Sequence, residues 1–179
     1  MKRMTRRDFL KRSRRAALAA GIAPAFSVGA LGANEKIVVG LMGAGGRGTQ
    51  LLEWFAARPD VEVAYIADPD LARTEACAAK IEKITGKKPK LIQDFRRILD
   101  DKSVDALINA TPDHWHALGT ILACQAGKDV YVEKPTSHTV WEGRKAIEAA
   151  RKYGRVVQVG TQNRSAQYCQ MALDLLRSG

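Results

Sequence analysis

The stretch Ile37-Val38-Val39-Gly40-Leu41-Met42-Gly43-Ala44-Gly45-Gly46-Arg47-Gly48 decides how the rest of the chain is read. Its first six residues are an apolar run of strand length with no polar position to turn toward water. Such a run predicts a strand buried on both faces. The next six match G-x-G-x-x-G, and Gly48 to Ala57 then read as a helix stopped near Pro59. A glycine-rich turn between a buried strand and a helix is the setting in which this pattern cradles a dinucleotide. Gly43 permits the tight turn, Gly45 leaves bare backbone for a pyrophosphate, and Gly48 lets helix and strand pack closely. Ala44, Gly46 and Arg47 complete the loop, and the helix start offers unpaired N–H groups to an anion.

Working outward, short β-branched runs alternate with longer helical ones. Val61–Ala67 is a second strand and Leu71–Ile84 a helix; Leu91-Ile92 is a short strand and Phe95–Leu99 a short helix. Ala106–Ala110 is the next buried strand. Thr111 is expected to cap a helix with Pro112 in its first turn, ending at Gly127. Val130–Val132 is a fifth strand. Thr139 and Glu142 form a capping box for a helix that Gly154 closes, and Val156–Val159 is a sixth strand. Strands joined through helices imply right-handed crossovers, hence a Rossmann-like doubly wound parallel sheet of about six strands in an α/β domain. Asp68 ends the second strand about 20 residues after the last glycine, where a carboxylate accepts hydrogen bonds from the adenosine ribose hydroxyls. It would repel a 2′-phosphate, so NAD is expected in preference to NADP.

Composition narrows the function. The 179 residues suit one ordinary domain, and the net charge of +10 is concentrated at one end. Residues 1–33 carry eight Lys or Arg against Asp8 alone, leaving only +3 for the remainder. That residue of charge is too small for the basic face of a nucleic-acid binder. No apolar run reaches the ~20 residues of a membrane-spanning helix. Cys77, Cys124 and Cys169 are widely spaced, form no CxxC pair, and read as small buried hydrophobes on helices; no metal site is expected.

Thr5-Arg6-Arg7-Asp8-Phe9-Leu10-Lys11 resembles the twin-arginine export signal. A weakly apolar stretch, Ala16–Leu31, and the small residues Ala30, Gly32 and Ala33 follow in signal-peptide order. The chain is therefore divided into a signal peptide at 1–33, a nucleotide-binding domain at 34–164 and the start of a linker helix at 165–179. A periplasmic or otherwise exported location by the twin-arginine route follows from that reading.

Three further motifs stand after strands four to six: Thr111-Pro112-Asp113-His114-Trp115-His116, Glu133-Lys134-Pro135, and Gly160-Thr161-Gln162-Asn163-Arg164. With the loop at Gly43 they resemble the glucose–fructose oxidoreductase and inositol dehydrogenase (Gfo/Idh/MocA) family, from about Lys36 to Arg164. The resemblance implies that Lys134 reaches a substrate hydroxyl beside the nicotinamide, with a cis Lys134–Pro135 bond. It also implies that Thr111, Pro112 and Glu133 line the cofactor and that His116 lies near it, which makes Lys134 and His116 the catalytic candidates. His114 reads as a solvated first-turn residue, His116 equally as a core or capping histidine, and Trp115 and Trp141 as packing. The family pairs this domain with an open antiparallel sheet that binds substrate and can assemble oligomers. The chain stops within the helix 166–177 that should lead there, so it is expected to bind NAD without turning over substrate alone.

Two activities fit the parent protein. One is hydride transfer from a sugar or cyclitol hydroxyl. The other is an exported NAD-dependent glycosidase or lyase that oxidises the sugar transiently and then restores its cofactor. A plain NAD-binding module without catalysis is the third reading.

Overall fold

The apolar run Ile37–Met42 becomes the strand β1, and its place in the sheet explains its composition. The computed structural model describes residues 36–179; the signal-peptide reading of residues 1–33 lies outside them. In chain order the elements are β1, α1 (Gly46–Ala56), β2 (Val61–Ala67), α2 (Leu71–Thr85), β3 (Lys90–Ile92), α3 (Arg96–Asp100) and β4 (Ala106–Asn109). A 3₁₀ turn, Asp113–Trp115, leads to α4 (His116–Gln125), β5 (Asp129–Val132), α5 (Val140–Tyr153) and β6 (Val157–Val159). A second 3₁₀ turn, Gln162–Ser165, precedes α6 (Gln167–Ser178).

All pairings are parallel and the strand order is β3-β2-β1-β4-β5-β6. β1 is therefore central, and the order reverses between β1 and β4, which opens a crevice at the carboxyl ends of those strands. Alternate residues feed two cores. Val39, Leu41 and Ile108 pack with Leu51 and Leu52 of α1 and Cys77 and Ile81 of α2. Met42, Leu107, Val130 and Val132 pack on the other face with Ile98 of α3 and Ala123 and Cys124 of α4. Leu41 and Leu52 are completely buried, and truncating either to Ala should cost about 2–5 kcal/mol.

The caps follow the sequence where the chemistry is local. Thr139 and Glu142 form the expected capping box, and Gly154 ends α5 in the left-handed region. Asp70 caps α2, accepting the Ala72 N–H.

Four expectations are corrected. α1 begins at Gly46 instead of Gly48. Thr111 does not cap a helix, because Pro112 is extended at ψ 152° and only the single 3₁₀ turn follows before α4 starts at His116. The cause is Asn109, fully buried at the end of β4. Its Oδ1 accepts the Thr111 hydroxyl at 2.7 Å, and its Nδ2 donates to the His116 carbonyl at 3.2 Å. Cys77 and Cys124 are buried as expected, and burial pushes both thiols up, but Cys169 is only half-buried on α6. Trp141 does not pack; it is 68 % exposed with the Lys145 ammonium over its ring.

Candidate functional site

The carboxyl ends of β1, β2 and β4 open onto a cleft of about 850 Å³, lined by Gly43, Asp68, Pro69, Thr111, Pro112 and Trp115 among others. Gly43 adopts φ +95°, and a Cβ there would sit 2.8 Å from the Ala110 carbonyl. A Cβ on Gly48 would collide with the Gly43 carbonyl oxygen. Gly45 is different: no atom of the described residues lies within 4 Å of where its Cβ would be, and its φ of −69° suits any residue. Packing does not explain that glycine, whereas a ligand pressed against the backbone does. The first helical turn beside it, Gly46-Arg47-Gly48, has N–H groups without intrahelical acceptors and no acidic side chain to occupy them.

Asp68 is buried at the end of β2. One carboxylate oxygen accepts the Ala44 N–H at 2.8 Å and the other accepts the Asp70 N–H at 2.9 Å. A carboxylate offers about four acceptor positions, so two remain for a ligand hydroxyl. The cations on the same rim are engaged. Arg73 pairs with Asp70 at 3.3 Å, and Arg96 forks onto Asp94, holding that carboxyl down to about 2. Opposite them, Trp115 meets Phe95 edge-on at 6.2 Å.

The second half of the site stands at the ends of β5 and β6. Glu133 is buried and pairs with Arg47 at 2.7 Å, across 86 residues of sequence. Lys134 is exposed, and among the described residues its Nζ has no partner. Its peptide bond to Pro135 is cis, as expected. His116 is buried, with Nδ1 at 2.5 Å from the Pro135 carbonyl and Nε2 at 2.7 Å from the Thr111 carbonyl. Both ring nitrogens thus face main-chain oxygens of the two motif loops, and neither is left for the cleft. His114 is solvated, as expected.

The structure brings every named residue to one end of the sheet. Sequence reading missed three things there: Asn109 as organiser of the Thr111 loop, the Arg47–Glu133 pair, and Gln162, whose amide in its satisfied orientation joins that pair. The Arg47–Glu133 pair and Gln162 have no local signal, since their partners lie in distant segments, whereas Asn109 acts on Thr111 and His116, two and seven residues on, and is marked only as a polar residue ending an apolar strand.

A sequence profile of the Gfo/Idh/MocA oxidoreductase family, NAD-binding Rossmann fold, matches residues 37–161. The chain is 32 % identical over 133 residues to the uncharacterized oxidoreductase YrbE of Bacillus subtilis, covering 73 % of this chain and 37 % of YrbE. It is 27 % identical over 168 residues to a glycosyl hydrolase family 109 protein of Solibacter usitatus, covering 86 % of this chain and 38 % of that protein. Among solved structures it is similar to the WlbA dehydrogenase of Bordetella pertussis in complex with NADH and UDP-GlcNAcA. That match has a TM-score of 0.70 at 27 % identity and covers 80 % of this chain and 42 % of WlbA. The chain thus spans about two fifths of the length of these relatives, and over that span it belongs to the Gfo/Idh/MocA oxidoreductase family with its NAD-binding Rossmann fold.

Proposed function

We propose that this domain binds NAD in the cleft between Asp68 and Trp115 and serves hydride transfer from a sugar or cyclitol hydroxyl. The observation that carries it is Gly45, a glycine at a helix start whose Cβ would meet no atom of the described residues, which leaves bare backbone for a ligand. The backbone N–H groups of Gly46, Arg47 and Gly48 hold the pyrophosphate. Asp68 accepts the ribose hydroxyls, and Thr111 and Pro112 line the path toward the nicotinamide. NAD is preferred over NADP because Asp68 is anionic and the nearby Arg73 and Arg96 are already paired. When bound, NAD supplies the hydride acceptor. Lys134 takes the hydroxyl proton of a carbohydrate-like substrate, and Glu133 and His116 hold the chain around it.

Calorimetry with NAD and with NADP tests the reading directly. Binding of NAD at least tenfold tighter than NADP supports it, and equal affinity removes the role of Asp68. In the parent protein, Lys134→Ala should leave NAD affinity within about twofold and abolish turnover; loss of both would make the lysine a cofactor ligand.

The glycosyl hydrolase relative favours a second reading, in which the sugar is oxidised only transiently and NAD is restored. Net NADH accumulation from a polyol supports the dehydrogenase. Glycoside cleavage without net NADH supports the alternative. We also propose export through the Thr5–Lys11 segment, for which Arg6→Lys with Arg7→Lys should block translocation; unchanged export removes that proposal.

A further inference from the structure

The phosphate loop carries one side chain that a phosphate cradle does not require. Arg47 stands in the first turn of α1, where a guanidinium would be expected to reach the anion. Its donors are instead committed within the protein. Nε donates to Glu133 Oε1 at 2.7 Å, and Nη2 lies 2.7 Å from the same oxygen. Nη2 also reaches the Gln162 amide oxygen at 2.9 Å, while that amide donates to the Gly160 carbonyl at 2.8 Å. Nη1 donates to Gln50 at 2.7 Å, and the guanidinium packs 5.3 Å from the Trp54 ring. Three of its five N–H groups thus have hydrogen-bond partners within the protein, and the ion pair with Glu133 holds the fork in place.

Glu133 passes the connection on. Its side chain is 6 % exposed, so it depends on Arg47 for compensation, and its other oxygen accepts the Lys134 N–H at 3.2 Å. Gly160 leaves room for this carboxylate, since a Cβ there would stand 2.8 Å from Oε1. The ends of β5 and β6 and the start of α1 therefore meet in one network.

We infer that the Arg47 side chain positions Lys134: the guanidinium couples the phosphate loop, through Glu133, to the lysine and does not bind phosphate, which the backbone N–H of the same residue is left to do. The inference rests on NAD being the ligand of the loop. A pyrophosphate seated on the first turn of α1 fixes that turn, and Arg47 carries the constraint to the β5 end. Lys in place of Arg would keep the charge and lose the fork that holds Glu133 and Gln162 together.

The test uses this chain with its lysines reductively methylated with isotope-labelled formaldehyde. The Lys134 signal is identified by its absence in Lys134→Arg, and NAD is the probe. In the parent chain NAD should shift the Lys134 resonance. In Arg47→Gln, NAD affinity should stay within about threefold, while the Lys134 resonance moves from its parental position and stops responding to NAD. Arg47→Lys should fall between the two and carries the comparison if Arg47→Gln does not fold. An affinity loss of tenfold or more with the Lys134 response intact would overturn the inference and make Arg47 a phosphate ligand. A Lys134 resonance identical to the parent in both variants, with and without NAD, would also overturn it. If the parent chain binds no NAD, the NAD reading fails separately, and the NAD-free resonance of Arg47→Gln against the parent still decides the coupling.

Discussion

The Asp68 carboxylate accepts the Ala44 backbone N–H at 2.8 Å, so the residue that ends β2 also holds the loop that follows β1. One side chain thereby serves both the shape of the phosphate cradle and the ribose beside it. Asp68→Ala should leave the buried Ala44 N–H unsatisfied and cost about 1–3 kcal/mol of stability, together with at least a tenfold loss of NAD affinity. Asp68→Asn retains an acceptor for Ala44 but sets its NH2 against the Asp70 N–H, so it should recover only part of the stability while losing the preference for NAD over NADP. Chemical denaturation beside calorimetry reads both effects, and an Asn variant as unstable as the Ala variant would separate Asp68 from the loop.

Gly45 and Gly48 should behave oppositely when each becomes Ala. Gly48→Ala drives a methyl group into the Gly43 carbonyl, and overpacking of this kind costs about 1–3 kcal/mol or more. Gly45→Ala meets no atom of the described residues and should leave the melting temperature nearly unchanged while weakening NAD at least tenfold. A Gly45→Ala chain that binds NAD normally would remove the pyrophosphate from this loop.

How far the sequence reaches is visible in these same residues. β1 and its glycines are legible because an unbroken apolar run and a turn are local features, and Asp68 follows at a fixed spacing. The Thr111–Pro112 turn is not, because a rule for proline in a first helical turn loses to the Asn109 side chain, which seizes the Thr111 hydroxyl first. Lys128 shows the same limit. Nothing in the neighbouring residues marks it, yet it is 4 % exposed and donates to the Asp101 and Val104 carbonyls, with burial pulling its pKa down. Its partners lie 27 and 24 residues away, as Glu133 lies 86 from Arg47, and no spacing pattern encodes such pairs.

Asp101 should give the fold a measurable acid dependence. Hydrogen bonds from the Ser103 side chain and backbone, then from the Tyr65 hydroxyl, hold its carboxyl down to about 2. The unfolded value is about 3.9, so the folded state binds this proton less readily. Its contribution is present above about pH 4 and is lost as pH falls toward about 2. Because the group is only half-buried and meets solvent, the size should be about 0.5 kcal/mol. Urea midpoints of the parent chain and Asp101→Asn should differ at neutral pH and converge on acidification through that window. A difference that stays constant would assign the effect to something other than this proton.

His116 should prove to be a clamp between two loops. It stands at the start of α4, buried, with one ring nitrogen on the Thr111 carbonyl and the other on the Pro135 carbonyl. Those oxygens belong to the loops after β4 and β5, so the ring fixes the separation between the cofactor-lining turn and the Lys134 segment. A catalytic histidine would need a nitrogen directed into the cleft, and both of these are occupied. His116→Phe keeps an aromatic ring in place and removes the ring N–H. A carbonyl left without its donor costs about 1–3 kcal/mol where water does not reach it. The expected result is a melting temperature several degrees lower with NAD affinity reduced only modestly, because the phosphate loop and Asp68 do not touch the ring. Thermal denaturation of the two chains with and without NAD measures both quantities. A His116→Phe chain as stable as the parent would mean that the two loops hold their positions without the ring.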